Sequence, residues 1–167
     1  MSADDVLSFL RMMDSASIRI WIDGGWAVDA CLGAQTRPHS DLDIVIEQRD
    51  VATAVAELES VGYAPVPRDD TRPWNFVLGD GAGHQVDFHV IALAADGRGI
   101  YGPPEDGNYY PAEALAGSGT INGRIVSCIS PEWLVRFHTG YQHDENDRAD
   151  VFALCERFNI PVPDEYQ

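Results

Sequence analysis

The stretch WIDGGWAVDACLGAQTRPHSDLDIVI, Trp21 to Ile46, decides how this chain is read. It sets two adjacent glycines, Gly24 and Gly25, ahead of two aspartates on alternate residues, Asp41 and Asp43, with Arg37 and His39 between. "LDIVIE" reads as a strand with Leu42, Ile44 and Ile46 on one face. Side chains alternate along a strand, so Asp41 and Asp43 share the other face, about 7 Å apart at the backbone. Two carboxylates that close repel unless a cation or water separates them. Mg²⁺ meets that need, because it takes oxygen ligands and uses one or two carboxylates together with substrate phosphates. A lone D-x-D is a weak signal. A solvated strand end gives the same pattern, and metal-dependent glycosyltransferases also use it.

The glycines supply the other half. "IRIWI" (Ile18–Ile22) reads as a strand that runs into Gly24-Gly25, and "WAVDACLG" as a short helix closing at Gly33. A strand that turns into a helix presents backbone N–H groups, and the dipole there favours phosphate. The pattern is neither a G-x-x-x-x-G-K-[ST] loop nor a G-x-G-x-x-G fingerprint. Arg37 can pair with a phosphate bidentately and His39 can donate to one. A third acid, Asp87, lies mid-strand in "HQVDFHVIAL", where an unpaired carboxylate is costly to bury. If that strand lies beside "LDIVIE", Asp87 joins Asp41 and Asp43 either as a third ligand or as a nearby base. His89 shares its face and reads rather as a core or rim histidine.

Working outward, Val6, Phe9, Leu10 and Met13 mark one face of an N-terminal helix. Asp50 reads as the N-cap of a helix with Val51, Val55, Leu58 and Val61 as its stripe and Gly62 as its stop. "NFVLGD" and "HQVDFHVIAL" are strands joined by the turn "GDGAG". Residues 95–119 read as a long loop, and such loops in compact domains are usually functional or flexible. Tyr101, Asn108, Tyr109 and Tyr110 in it are candidates for a substrate wall, as is Tyr141 further on with Asp144. "TINGRIVSCI" reads as a hairpin on Asn122-Gly123. Ser130 and Pro131 open a helix, and Val151, Leu154, Cys155 and Phe158 mark the last one. Asp147 and Asp150 read as capping or solvated acids. The element order predicts an α/β (α+β) fold, a mixed sheet with helices packed largely on one face. We expect one domain over residues 1–167, with the C-terminal helices from about 130 packed onto it.

Composition narrows the class. The 167 residues carry 27 acids against 11 bases, a net charge of −16. That excludes the basic footprint of a nucleic-acid binder and suits a cationic small molecule or a divalent ion. No apolar run suits a membrane helix, and the acidic N-terminus is unlike a signal peptide. Three widely spaced cysteines without a CxxC argue against disulfides or a thiolate zinc site. A cytoplasmic protein is expected.

Taken together, "WIDGGWAVDACLG", "TRPHSDLDI", "VDFHVI", "GNYY", "CIS", "FHTGY" and "DRADVFAL" resemble the small antibiotic nucleotidyltransferases of the DNA polymerase β-like superfamily. The likeness runs from Trp21 to Leu154; it is nearest to the lincosamide nucleotidyltransferases and is shared with the aminoglycoside 2″-O-adenylyltransferases. The resemblance implies Mg²⁺-dependent transfer of a nucleoside monophosphate, AMP from ATP or another NTP, to a hydroxyl of a small cationic molecule, with release of pyrophosphate. It places Asp41 and Asp43 on the metal, Asp87 as third ligand or base, and Gly24, Gly25, Arg37 and His39 around the triphosphate. Alternatives are an aminoglycoside acceptor in place of a lincosamide, or a catalytically silent nucleotide-binding module on the same fold. A homodimer is expected, because a small protein with a shallow cleft gains surface from a second copy.

Overall fold

The computed structural model describes residues 1–167. The chain opens with α1 (Ala3–Ser15), which buries Val6, Phe9, Leu10 and Met13 as their spacing predicts. Ser2 caps it in a reciprocal box with Asp5. Then come β1 (Ile20–Ile22), α2 (Gly24–Leu32), β2 (Asp41–Glu47), α3 (Val51–Ser60), β3 (Ala64–Val66), β4 (Asn75–Gly79) and β5 (Gln85–Leu93). The chain finishes with β6 (Gly99–Tyr101), β7 (Tyr109–Tyr110), β8 (Gly117–Ile121), β9 (Arg124–Cys128), α4 (Pro131–Phe137) and α5 (Glu145–Phe158).

All nine strands form one mixed sheet with the path β3-β4-β5-β2-β1-β9-β8, and β6 pairs with β5 and β7. The pairs β2–β5 and β1–β9 are parallel and the others antiparallel. A mixed sheet with five helices is the fold class the element order predicts. The core is a single cluster of 36 buried residues. It includes Trp21, Leu42, Ile44, Phe88, Leu134, Val151 and Leu154, so α4 and α5 share it with the sheet. The Trp21 indole donates to the Leu115 carbonyl at 2.7 Å, which satisfies its one polar atom inside that core.

Several local expectations are corrected. The glycine pair does not precede α2; Gly24 and Gly25 are its first two residues, and the cap is Asp23, whose carboxylate accepts from the Gly24 amide at 2.9 Å. Asp50 and Ser130 stand at N-cap positions without a capping hydrogen bond from their side chains. Asp50 lies 3.8 Å from Arg49 instead. In α3, Ala54 and Leu58 are buried, whereas Val61 is exposed because the helix ends at Ser60 and Val61 is its C-cap at φ −110°. Residues 95–119 are not a loop throughout: β6, β7 and the start of β8 lie in them. β3 was missed because "APV" is short, partly exposed, and carries a proline tolerated only at a sheet edge. The hairpin turn holds, with Asn122 at φ +46° and Gly123 at φ +79°, both left-handed as a type I′ turn demands.

Candidate active site

The parallel pairing of β2 with β5 sets Asp43 directly opposite Asp87. Both side chains stand on the face opposite buried Leu42, Ile44, Val86 and Phe88. Asp87 therefore shares the sheet face of Asp43. Asp41 is registered with Gln85 one pleat away, and its carboxylate accepts from the Ser40 hydroxyl at 3.2 Å. The tightest group of donor atoms is Asp43, Asp87 and His89, all within 4.8 Å of one another. Asp41 lies outside that group.

The glycines explain how α2 meets these carboxylates. A Cβ on Gly24 would lie 2.2 Å from Asp43 Oδ2, and Gly24 holds φ +56°. A Cβ on Gly25 would lie 2.5 Å from Arg37 Nη2 and 2.7 Å from the His39 ring. Over the first turn of the helix, Gly24 leaves room for one polar side chain and Gly25 for two. The sequence gives reason for glycines at a phosphate-binding or strained turn, but not for the close approach of the Asp43, Arg37 and His39 side chains.

Arg37 and His39 lie on the Gly25 side, in a polar network. Arg37 Nη2 donates to Asp150 at 2.8 Å, and Nη1 lies 3.1 Å from His39 Nδ1. His39 Nε2 lies 2.5 Å from Asp29 Oδ2, and Asp29 also accepts from the Thr36 amide and hydroxyl. Asp150 is thus neither a cap nor a solvated acid. It is 3% exposed and anchors Arg37, a contact between α5 and the 34–40 segment that no sequence spacing announces. Asp147 does cap α5, sharing a box with Asp144.

A cleft of about 510 Å³ opens on the other side, lined by Asp23, Gly24, Asp43, His89, Tyr101, Asn108, Tyr109, Tyr110, Phe137 and His138. It gathers the predicted Tyr101 and Tyr109. Tyr141 is elsewhere, with its hydroxyl on Asp147 at 3.0 Å. Asp23 and His89 are the residues the sequence reading missed or set aside. His89 Nδ1 lies 3.0 Å from the Tyr110 hydroxyl and 3.4 Å from Asp23 Oδ2, and that hydroxyl donates to the same oxygen at 3.0 Å. The available signal for Asp23 was its place before a helix start, where aspartate caps.

The electrostatics match a cation site. Burial pushes the Asp43 carboxyl up to about 7; His89 opposes this, while Asp23, Asp41 and Asp87 add to it. Burial likewise raises Asp87 against the pull of His89 and Arg68. Burial works against charge on His89, but Asp23, Asp43 and Asp87 hold its imidazolium up to about 9. Burial would raise Asp23 too, yet the hydrogen bonds from His89, the Gly24 amide and Tyr110 keep it below the usual range. Asp87 Oδ1 is buried with no hydrogen-bond partner, although it belongs to the Asp43–Asp87–His89 group. An orphaned carboxylate oxygen beside a second, repelled carboxylate fits a hard divalent ion.

A family model described as aminoglycoside-2″-adenylyltransferase matches residues 5–154. A lincosamide resistance protein of Staphylococcus haemolyticus is 30% identical over 150 residues, covering 90% of this chain and 92% of that protein. A 2″-aminoglycoside nucleotidyltransferase of Escherichia coli is 31% identical over 136 residues, covering 75% of this chain and 66% of the relative. Among solved structures, lincomycin-bound lincosamide antibiotic adenylyltransferase LnuA matches with a TM-score of 0.81 at 28% identity, covering 96% of this chain and 99% of that one. The complex of ANT(2″)-Ia with adenylyl-2″-tobramycin shares the fold, with a TM-score of 0.72 at 24% identity over 93% of this chain and 88% of that one.

Proposed function

Because the chain belongs to the aminoglycoside-2″-adenylyltransferase family, and is accordingly a nucleotidyltransferase, we propose that it moves AMP from ATP to a hydroxyl of a lincosamide-type antibiotic and releases pyrophosphate. One observation carries the reading. Asp43 stands against the first turn of α2, where Gly24 leaves room for its carboxylate, and Asp87 lies directly opposite it on the neighbouring strand. A Mg²⁺ ion bound between them would neutralise charge at the α-phosphate and acidify the acceptor hydroxyl.

The chain's own groups do the rest. The first-turn amides of α2 and the helix dipole face the phosphates. Asp41, one pleat from Asp43, adds a third carboxylate to the ion's surroundings. Asp87 is placed either to bind the ion or to accept the hydroxyl's proton. Arg37 keeps its guanidinium beside Gly25 through Asp150, within reach of a phosphate held at that turn. His39, tied to Asp29, fixes the segment that leads into Asp41. Tyr101, Tyr109 and Phe137 offer the acceptor apolar faces beside the carboxylates.

A lincosamide acceptor is favoured because likeness to the lincosamide resistance protein spans 92% of it, against 66% of the aminoglycoside relative. The aminoglycoside reading keeps support from the net charge of −16, which attracts polycations. Incubation with ATP, Mg²⁺ and a panel of both drug classes decides between them. Mass spectrometry should show one lincosamide gaining a nucleoside monophosphate, with pyrophosphate released. Asp43→Asn should lower that rate by roughly a hundredfold or more, the scale of losing a group that stabilises the transition state, with the circular dichroism unchanged. Adducts on aminoglycosides alone select the second acceptor, and no adduct on either class defeats the reading.

A further inference from the structure

The geometry points to Arg68 as a two-way cation of this site: it stands in at Asp87 for the divalent ion, then turns to the nucleotide's phosphates once the ion is bound. Its Nη1 lies 3.5 Å from Asp87 Oδ2, and its Nη2 donates to Gln85 Oε1 at 2.8 Å. Gln85 and Asp87 are alternate residues of β5, so the guanidinium spans the strand face that carries the carboxylates. Arg68 belongs to the segment between β3 and β4, where its amide donates to the Thr71 hydroxyl at 2.9 Å.

Two contrasts mark it as a shifting group rather than an anchor. The Arg37–Asp150 pair is at 2.8 Å with Asp150 buried, whereas Arg68 meets Asp87 at 3.5 Å and is 39% exposed. That is longer than the distance of about 2.8 Å at which a charged N–H donates well. Asp87 Oδ1, meanwhile, has no hydrogen-bond partner and meets only the His89 ring, at 3.9 Å. Arg68 therefore offsets the carboxylate charge without satisfying it.

The charge balance then sets the direction of movement. The chain has no lysine, so its 11 bases are all arginines. Arg37 is held beside Gly25 by Asp150, so Arg68 is the arginine that stands at Asp87. A divalent ion at Asp87 repels the neighbouring guanidinium, while a triphosphate brought in beside it attracts the same group. Arg68 thus competes with an ion arriving alone and assists a nucleotide arriving with its ion. Because linkage is reciprocal, this favours filling the site by the pair over the ion by itself.

The proposal rests on the nucleotidyl-transfer reading, and Arg68→Gln tests it through binding alone. Titration with Mn²⁺ only, followed by the electron paramagnetic resonance of the free ion, should show about two- to fivefold tighter binding in the variant, the scale of losing a partly exposed pair. Calorimetry with Mg·ATP and no acceptor should show roughly tenfold weaker binding, the scale of losing a charged hydrogen bond. Arg68→Lys keeps the charge, so its Mn²⁺ affinity should stay near that of the unchanged chain. A loop merely disturbed by the substitution would not move the two affinities in opposite directions. If both fall together, or neither changes, the role assigned to Arg68 is overturned while nucleotidyl transfer stands. An unchanged chain that binds neither Mn²⁺ nor Mg·ATP overturns both.

Discussion

Gly24 and Gly25 carry more of this site than any charged residue does, because they fix where the charged residues can stand. Gly24 sits at φ +56°, a conformation that costs a residue with a Cβ about 1–2 kcal/mol. Its absent Cβ would also fall 2.2 Å from Asp43 Oδ2. Gly24→Ala should therefore lower stability by at least that strain and displace the Asp43 carboxylate, which on the proposed function would hold Mg²⁺. The expected outcome is a lower melting temperature together with a loss of Mn²⁺ affinity in the same protein. A variant that is destabilised yet binds Mn²⁺ normally would show that the close approach does not matter. Both glycines and Asp43 were legible in the sequence. What could not be read was their contact, since 18 intervening residues, 25–42, separate Gly24 from Asp43 along the chain.

At the scale of elements, α2 works at its N-terminus and is braced further along. Asp29, in its body, receives His39 and Thr36 and so ties the 34–40 segment down; α5 contributes through Asp150 to Arg37. Burial would raise the Asp29 carboxyl, but the hydrogen bonds from His39 and Thr36 outweigh it and hold it below the usual carboxylate range. A carboxyl depressed in the folded state adds stability above its unfolded value, about 3.9, and loses it as pH falls through the folded value. Melting temperature should thus drop below about pH 4, and Asp29→Asn should lower stability near neutrality while flattening that acid limb. A variant with an unchanged acid limb would mean other carboxylates set it. The helix positions themselves were readable from apolar spacing, as Val6, Phe9, Leu10 and Met13 show. β6 and β7 were not: "GIY" and "YY" are too short to display a period; β6 exists because β5 offers an edge to pair with, and β7 because β6 does in turn.

For the whole molecule, one buried cluster runs from α1 through the sheet to α5 and on to Tyr166 near the C-terminus. No helix is long and apolar enough to cross a membrane. We propose that residues 1–167 act as one cooperative unit, the C-terminal helices included. Calorimetry should then give a single transition whose calorimetric and van't Hoff enthalpies agree. Two transitions, or a van't Hoff value well below the calorimetric one, would place α4 and α5 in a separate unit.

The sequence by itself determined the strand–glycine–helix turn, the alternation that puts Asp41 and Asp43 on one face, and the family resemblance those motifs carry. Those are local properties, set by chain periodicity and backbone sterics within a few residues. Only the tertiary structure decided that β5 lies parallel to β2 with Asp87 opposite Asp43, and that Asp23 joins His89 and Tyr110. It also decided that Arg37 answers to Asp150 and that Arg68 reaches Asp87. Register and long-range pairing follow from how the apolar faces of distant segments fit together in one core, and that fit is not written in the spacing of any single stretch.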